Sequence, residues 1–322
     1  MDNRQIMTHL LPEILRAESR IRRHIRETPI EYSEPISRAA GVKVHLKMEN
    51  LQHTGSFKVR GAMNKMLILS EKEREKGVVA ASTGNHGAAV AFAATKLKMR
   101  STVFVPTTAS RTKIETMQGL GADVRFHGED CVEAEVHARE QAKLGGMTYI
   151  SPYNDIDVIA GQGTLGIEIA NALQDISRIY VSVGGGGLIC GIAAFLKSVH
   201  PAIRVVGCSP ENSCVMIESL RAGRILDLKS RATLADGSAG GVEPGAVTFE
   251  LCRTLVDECI TVSEEEIAAA MRLCIESHHT LIEGAAGAAL AGLLQSARGQ
   301  GRNNLVVLCG ANVSPEALRT VL

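Results

Sequence analysis

Short apolar segments that alternate with helical segments constrain the fold of this chain most strongly. Between residues 77 and 144, segments of four or five mostly apolar residues predict strands, and the longer segments between them predict helices. The predicted elements are strand 77–81, helix 88–98, strand 101–105, helix 113–120, strand 123–126 and helix 130–144. This alternation predicts a parallel sheet with helices on both faces, because each intervening helix returns the chain to the start of the next strand.

The remaining residues continue the same pattern. Further helices are predicted at about 4–26, 163–173, 188–199, 246–256, 264–277 and 283–296, and further strands at 42–48, 178–183, 205–208 and 304–308. The segment from Thr233 to Gly245 is rich in turn-forming residues and predicts a loop near a site. The predicted fold class is α/β, with mostly parallel twisted sheets covered by helices.

The composition agrees with a close-packed α/β protein and excludes some classes of function. The 322 residues are 45% hydrophobic, and 35 Lys and Arg balance 35 Asp and Glu. Without a net positive field, the chain is not expected to bind nucleic acid or a membrane surface. The eight cysteines form no CxxC pair, and the sequence contains neither a signal peptide nor a membrane-spanning segment. We therefore expect a cytoplasmic protein with reduced thiols.

The segment from His53 to Gly61 places a lysine at a predicted helix start. Ser56 is a favourable N-cap residue, so Lys58 is expected in the first helical turn. The positive end of the helix dipole disfavours an ammonium group there. It therefore lowers the pKa of Lys58 and favours the neutral amine that attacks a carbonyl group. The alternative is an ordinary solvated lysine near a helix start.

Four consecutive glycines, Gly184 to Gly187, lie between a predicted strand and a predicted helix. Their N–H groups can converge on a ligand because no Cβ atoms intervene, and the helix adds its positive end, so the turn predicts a phosphate site. A dinucleotide is not expected. The third position of G-x-G-x-x-G is Ile189 or Cys190, and no acidic residue ends the next strand. A smaller phosphate ester fits better, and the alternative is that the glycines serve close strand–helix packing.

A second turn of this kind runs from Ser82 to Gly87 and adds hydroxyl and amide side chains. It suits a second anion, such as a substrate carboxylate, and Asn85 suits a hydrogen bond to a ring substituent. His86, at the helix start, is interpreted as structural rather than as a general base. A lysine able to form an imine, a small-phosphate cradle and a carboxylate-sized turn together predict a site for pyridoxal phosphate.

Four segments of the sequence resemble the signatures of the fold-type II pyridoxal-phosphate enzymes. They are Ser56–Gly61 (S-F-K-V-R-G), Ser82–Gly87 (S-T-G-N-H-G), Gly184–Leu188 (G-G-G-G-L) and Cys309–Asn312 (C-G-A-N). The sequence is most similar to the serine/threonine dehydratases (threonine ammonia-lyases) and serine racemases, over nearly the whole chain. The resemblance implies a tryptophan synthase β-like fold of two lobes. Residues 1–70 and 152–322 form the large cofactor-binding lobe, and residues 71–151 form the small mobile lobe.

The resemblance also implies roles for individual residues. Lys58 joins the cofactor as an imine and moves the Cα proton, and Ser82 and Thr83 are the other expected catalytic residues. The implied cofactor-binding residues are Phe57 beside the ring, Lys58, Asn85 at the ring 3-hydroxyl, Gly184, Gly185, Gly186, Gly187 and Leu188 at the phosphate, Glu283 near the ring and Cys309 at the pyridine nitrogen. The implied substrate-binding residues, which hold the substrate carboxylate, are Ser82, Thr83, Gly84, Asn85 and His86. Asp236 matches a family loop residue.

The implied reaction is an α,β-elimination in which L-threonine or L-serine gives 2-oxobutanoate or pyruvate plus ammonia. The thiol of Cys309 cannot hold the pyridine nitrogen protonated as an aspartate would, which disfavours a long-lived carbanion and favours loss of the β-hydroxyl. Thr83 stands where racemases of the family carry a second serine, so racemisation ranks below elimination. Ser209 and Val215 stand where cation-binding members carry Glu and Asp, so no metal site is expected.

Other functions stay open at the level of the sequence. Within the fold they are a dehydratase of phenylserine, of hydroxyaspartate or of a hydroxyectoine-derived amino acid, and a serine racemase. From another class, a non-catalytic binding protein on a decayed enzyme fold is possible, although intact Lys58 and Asn85 argue against decay. A small amino acid is the expected ligand and a homodimer the expected assembly, with neither nucleic acid nor membrane as a partner.

Overall fold

The structure of the protein is a computed structural model that describes residues 3–297 and 303–322, with side chains from residue 8 onward. Residues 1–2 and 298–302, which belong to the predicted large lobe, lie outside the described residues. The described chain forms fourteen α-helices and two separate sheets. No helix within it is long and apolar enough to cross a membrane.

The α-helices and strands follow each other in the order that the sequence predicts for an α/β chain. The helices are α1 Asn3–Ile21, α2 Glu34–Ala40, α3 Lys58–Leu67, α4 Glu71–Lys76, α5 Asn85–Lys96, α6 Arg111–Gly119, α7 Cys131–Gly145, α8 Ile156–Ala172, α9 Gly187–Val199, α10 Val215–Ala222, α11 Val247–Leu255, α12 Glu264–His278, α13 Gly284–Ser296 and α14 Pro315–Val321. The strands are β1 Ile30–Tyr32, β2 Lys43–Lys47, β3 Val78–Ala81, β4 Ser101–Val105, β5 Asp123–Phe126, β6 Thr148–Tyr149, β7 Arg178–Ser182, β8 Arg204–Pro210, β9 Glu258–Val262 and β10 Asn303–Val307.

The larger sheet has six strands in the order β1-β2-β10-β7-β8-β9. β1 is antiparallel to β2, and all other neighbours are parallel. The last strand of the chain enters the middle of the sheet, where Val306 pairs with Leu46 on one side and Tyr180 on the other. These positions are fully buried, as expected for a parallel sheet covered on both faces.

The smaller sheet has four parallel strands in the order β5-β4-β3-β6. The predicted α/β fold class with mostly parallel sheets is therefore confirmed. All four strands of the smaller sheet lie within 71–151, which agrees with the small lobe of the sequence analysis. The lobe boundaries themselves, and the mobility of the small lobe, stay predictions.

The structure adds elements that the sequence analysis did not assign and moves several boundaries; for example, the helix expected at about 4–26 ends at Ile21. The unassigned elements are short: α2, α4, α10, α14, β1, β6 and β9. The helix expected at 163–173 begins instead at Ile156, because Oδ1 of Asp155 caps it by accepting from the N–H groups of Asp157 and Val158.

Helix α3, which begins at Lys58, packs on α8 with almost no side chain between the two backbones. A Cβ on Gly61 would lie 2.7 Å from the carbonyl oxygen of Val158, and a Cβ on Gly161 would lie 2.6 Å from that of Arg60. Glycine is therefore required on both sides of this contact. The close approach fixes the position of the helix start that carries Lys58.

A buried cluster of charges holds the same helix to β2 and α8. Arg60 donates to both oxygens of Glu49 at 2.8 and 2.7 Å, and to Glu168 at 2.7 and 2.9 Å. Glu168 also accepts from Lys47, the fourth buried member of the cluster, and from the partly exposed Arg22. All four side chains are buried, so each charge needs its partners to offset its lost hydration.

Candidate active site

Lys58 is the first residue of α3, as the sequence predicts, but Ser56 does not cap the helix. Ser56 has an extended backbone (φ −163°) and pairs with Gly310, while Phe57 occupies the N-cap position. The Phe57 N–H donates to the carbonyl of Cys309 at 3.1 Å. The N-cap prediction for Ser56 is wrong because pairing with the 309–310 segment draws this residue away from the helix end.

The Lys58 amine donates to the carbonyl oxygen of Pro152 at 2.9 Å. It also lies 5.2 Å from the centre of the Phe57 ring. Burial lowers the pKa of Lys58 to about 8, although the nearby Cys309 and Glu283 oppose this shift. The direction agrees with the sequence analysis, but the principal cause is burial rather than the helix dipole. The amine therefore loses its proton more readily than an ordinary lysine.

The glycines 184–187 form a tight turn between β7 and α9. A Cβ on Gly184 would lie 2.5 Å from the carbonyl oxygen of Ser238, and a Cβ on Gly185 would lie 2.3 Å from the ring of Tyr153. Gly186 has a φ of +88°, a conformation that favours glycine. Side chains are thus excluded from this turn by its neighbours and by its backbone.

Helix α9 begins directly on this turn, and among the described residues no side chain caps it. The first-turn N–H groups, including that of the buried Leu188, are left to a ligand. Converging N–H groups at a helix start suit a phosphate ester, so the residues present fit the phosphate of the expected cofactor. The individual roles of Gly184, Gly185, Gly186, Gly187 and Leu188 stay predictions.

The Ser82–Gly87 turn leads into the start of α5, as the glycine turn leads into the start of α9. Gly84 is the N-cap residue, and no side chain in the described part of the chain caps this helix. The Ser82 hydroxyl accepts from the Gly84 N–H at 3.1 Å, and a Cβ on Gly84 would meet no atom within 4 Å. The turn therefore faces open space. The Ser82 N–H donates to the carbonyl oxygen of Phe104, so the N–H groups left for a carboxylate are chiefly those at the uncapped start of α5. The Thr83 hydroxyl lies near the Cys131 thiol, where it opposes the rise in the pKa of that thiol that burial causes.

His86 is buried in the first turn of α5. Its Nε2 donates to the carbonyl oxygen of Ile150 at 2.7 Å. Burial, together with the nearby Lys58, lowers the pKa of His86 to about 3. The imidazole is therefore neutral, and its side chain is committed to Ile150. This agrees with the structural interpretation and leaves its backbone as the part available to a substrate.

Asn85, Glu283 and Cys309 come together although they lie far apart in the sequence. The Asn85 Nδ2 donates to both oxygens of Glu283 at 2.9 and 2.8 Å, and the Cys309 thiol lies 3.7 Å from Glu283 Oε1. Burial raises the pKa of Glu283 to about 7. Burial and the neighbouring Glu283 raise the pKa of the Cys309 thiol well above its ordinary value, so this thiol stays neutral.

Several residues at the site were not identified from the sequence. Pro152 holds the Lys58 amine, and Tyr153 and Ser238 close the glycine turn. No local signal marks these three, because each acts through a contact between distant segments. Asn312 donates to Asn85 at 2.7 Å. It belongs to the C-G-A-N segment quoted in the sequence analysis, which gave it no role.

The two positions singled out for their lack of metal ligands are both buried in the structure. Ser209 donates through its hydroxyl to the carbonyl oxygen of Val183 at 2.6 Å, and Val215 begins α10. Across residues 3–297 and 303–322 no three His, Cys, Asp or Glu side chains form a group that could hold a metal ion. The expected lack of a metal site stays a prediction.

The fold and the site define a class: an α/β protein that combines a lysine of lowered pKa with two helix starts that suit anions. A family model described as pyridoxal-phosphate dependent enzyme matches residues 21–310. The chain belongs to this family, and its cofactor is pyridoxal phosphate. The family predicted from the four sequence segments is thereby confirmed.

Relatives of known name cover most of the chain. It is 42% identical over 313 residues to an L-threonine ammonia-lyase of Thermotoga maritima, across 97% of this chain and 78% of that protein. The structure is similar to threonine deaminase isoform 2 of Solanum lycopersicum, with a TM-score of 0.92 and 35% identity over 98% of this chain and 92% of that one. It is also similar to maize serine racemase, with a TM-score of 0.91 and 31% identity over 96% and 95%.

Proposed function

We propose that the protein is a pyridoxal-phosphate-dependent ammonia-lyase that converts L-threonine, L-serine or both to 2-oxobutanoate or pyruvate plus ammonia. The observation that carries the proposal is the Lys58 amine, held by Pro152 with a pKa lowered to about 8. Such an amine can bind a carbonyl group and can afterwards take up a proton. The names of the Thermotoga and Solanum relatives support L-threonine as the substrate.

When bound, pyridoxal phosphate supplies an aldehyde that joins the substrate amine and a ring that withdraws electrons from Cα. The N–H groups of the 184–188 turn would hold the phosphate, and the Ser82–His86 loop, with the N–H groups at the start of α5, would hold the substrate carboxylate. Lys58 Nζ takes the Cα proton as a general base. The amide of Asn85 donates a hydrogen bond to the ring 3-hydroxyl oxygen.

The neutral Cys309 thiol favours elimination over racemisation. Because burial and Glu283 keep the proton on its Sγ, this residue brings no charge to the pyridine nitrogen. A pyridine nitrogen left uncharged by its neighbour would withdraw electrons from Cα less strongly, which would favour loss of a β-hydroxyl over return of the Cα proton. Thr83 is the residue expected on the opposite face, where a racemase needs its second base, and its hydroxyl lies near the Cys131 thiol.

We further propose that the protein works as a homodimer in the cytoplasm, with a small lobe of residues 71–151 that closes over the substrate and excludes water. The balanced charge and the free cysteines support this compartment. Size-exclusion chromatography with light scattering measures the assembly. A monomer at working concentration contradicts the dimer without touching the proposed reaction.

A coupled 2-oxoacid assay tests the function on L- and D-serine, L- and D-threonine, threo-phenylserine and threo-3-hydroxyaspartate, with chiral analysis of the remaining amino acid. Release of oxoacid from L-threonine or L-serine is the expected result. If only a bulkier or acidic substrate releases oxoacid, the proposed mechanism stands but the substrate changes. The protein would then be a dehydratase of another 3-hydroxy amino acid, for example in the breakdown of hydroxyectoine. Inversion without oxoacid contradicts elimination and assigns Thr83 as a second base.

The Lys58→Ala variant is the matched test of the catalytic lysine. We expect it to lose the visible absorbance band of the bound cofactor and at least ~100-fold in turnover, because no other group replaces the amine. Retention of both would contradict the role proposed for Lys58.

A further inference from the structure

Asn312 joins three parts of the site that are distant in the sequence. Its Nδ2 donates to the carbonyl oxygen of Thr54 at 2.8 Å and to Oδ1 of Asn85 at 2.7 Å. Its backbone N–H lies near the Glu283 carboxyl group and lowers the pKa of that group against the effect of burial. Thr54 lies in the loop before Lys58 and has a left-handed φ of 63°. The exposed Asn312 side chain thus bridges the lysine loop and the start of α5, and the backbone of the same residue lies near the start of α13.

The carbonyl oxygen of Thr54 determines which group donates and which accepts in each of these hydrogen bonds. The Thr54 oxygen is a backbone carbonyl and can only accept, so Asn312 turns its NH2 group towards it and towards Asn85. The atom of Asn85 that meets this NH2 group must accept, which makes it Oδ1. The Asn85 NH2 group then points the opposite way, where it donates to both oxygens of Glu283 at 2.9 and 2.8 Å.

We propose that Asn312 is a positioning residue that fixes the amide of Asn85, so that its NH2 group and not its carbonyl oxygen faces the cofactor. This rests on the proposed function, in which Asn85 donates to the ring 3-hydroxyl oxygen. A donor at that oxygen stabilises its ionised form, whereas a carbonyl oxygen would repel it. The orientation of one amide therefore decides the charge of the ring oxygen.

Glu283 orients the same amide from the other side, but only while it is ionised. A protonated carboxyl group donates as well as accepts, and so it no longer specifies which end of the Asn85 amide it meets. Burial raises the pKa of Glu283 to about 7, so both forms are present near neutral pH. The Thr54 carbonyl does not titrate. Asn312, which donates to it, therefore keeps the Asn85 amide in the same orientation at every pH.

The test uses the full-length Asn312→Ala and Asn312→Asp variants reconstituted with pyridoxal phosphate. Asn312 is exposed, so both variants are expected to fold. We expect part of the visible band of the bound cofactor to shift to the near ultraviolet, and kcat to fall ~10-fold with a smaller change in KM. Asn171→Asp, at an exposed asparagine on α8, makes the same change of charge and should leave band and kcat unchanged.

A pH titration separates positioning from a general structural effect. In Asn312→Ala the amide is oriented by Glu283 alone, so the visible band should gain a transition near pH ~7 that the wild type lacks. The other titratable groups that affect Glu283 or are affected by it are Asp236, Cys309 and Lys58. Glu283→Gln in the Asn312→Ala background should abolish this transition.

The outcomes distinguish this proposal from the one it rests on. An unchanged band and pH profile in both Asn312 variants, while Lys58→Ala loses the band, overturns the positioning role and leaves the proposed function intact. A wild-type protein that gains no visible band on reconstitution contradicts the proposed function, and the role of Asn312 is then contradicted with it.

Discussion

At Glu283 the fold surrounds one carboxyl group with Asn85, Cys309 and a backbone N–H. Burial raises the pKa of Glu283 to about 7 from an ordinary value of 4.5. The folded state thus keeps the proton after the unfolded chain has lost it, so the contribution of Glu283 to stability falls as pH rises between these two values, by on the order of 3 kcal/mol. Glu283→Gln removes this titration.

We therefore expect the melting temperature of cofactor-free Glu283→Gln to fall less than that of the wild type between pH ~5 and ~7.5. Differential scanning calorimetry across this range measures both slopes. Glu265→Gln, at an exposed residue of α12, is the control and should follow the wild type. Identical slopes for wild type and Glu283→Gln would show that the buried carboxyl group does not titrate in this range.

Cys309 offers a second test at the residue scale. Because its thiol is neutral, a hydroxyl group of similar size should replace it with little effect. Cys309→Ser is expected to keep kcat within about threefold of the wild type and to leave the pH profile of kcat unchanged. Steady-state kinetics from pH ~6 to ~9 decide the matter. A large shift in the profile would mean that the thiol is ionised in the working enzyme.

Some residues of the site could be predicted from the sequence around them, and others depend on contacts between distant segments. Lys58, Asn85 and the glycine turn could be predicted as site residues because each lies near the start of a helix, where chain geometry alone favours the proposed role. Ser56 was assigned wrongly, since a local cap preference gave way to pairing with Gly310. The bond between Asn85 and Glu283 joins residues 198 positions apart, and no local pattern encodes it.

At the scale of elements, the buried charges around Arg60 connect α3, β2 and α8. Nearby cations lower the pKa of Glu168 to about 2 against the effect of burial, so it is ionised wherever the protein is folded near neutral pH. Glu168→Gln leaves Arg60 and Lys47 buried with too few acceptors. We expect a loss of about 3–5 kcal/mol in the free energy of unfolding, measured by urea denaturation.

The matched control for this loss is Glu115→Gln. Glu115 pairs with Arg111 on α6, where both side chains are exposed, and an exposed pair contributes at most about 1 kcal/mol. A loss in Glu168→Gln no larger than in this control would show that the buried cluster is not a source of stability.

Element prediction succeeded where caps and periodicity agreed and failed for short segments. Helix α7 begins after Asp130, which accepts from two N–H groups, and its expected range differs from the observed one by a single residue at each end. Helix α4 was not assigned because six charged residues have no apolar face, although Ser70 and Glu73 form a capping box. β6 has two residues, too few for any alternation.

At the scale of the whole molecule, two ion pairs join the predicted small lobe to the loop that the sequence analysis placed near a site. Lys113 on α6 lies 2.8 Å from Asp236, and Arg139 on α7 lies 2.9 Å from Glu243.

The alternation of elements predicts parallel sheets. It does not predict that β10 enters between β2 and β7, since that order depends on packing of the complete chain.

We expect Lys113→Ala to weaken closure over the substrate. The pair is partly exposed, so its loss should raise KM by up to about fivefold with little change in melting temperature. Added salt should raise the wild-type KM towards that of the variant because it screens the pair. Arg111→Ala, on the same helix but paired within it, serves as the control. Equal KM values for both variants would exclude the cross-lobe pair as a closing contact.

Helix α3 meets its two neighbours in different ways. Towards α8 it presents Gly61, backbone against backbone, and towards α5 and the smaller sheet it presents Met63 and Met66. Glycine contacts resist sliding because no side chain can change rotamer to absorb it, whereas methionine adapts its shape readily. If the two sheets move relative to each other, we therefore expect the sliding to occur at the face of α3 that carries Met63 and Met66. Lys58 then keeps its register with the large sheet throughout each catalytic cycle.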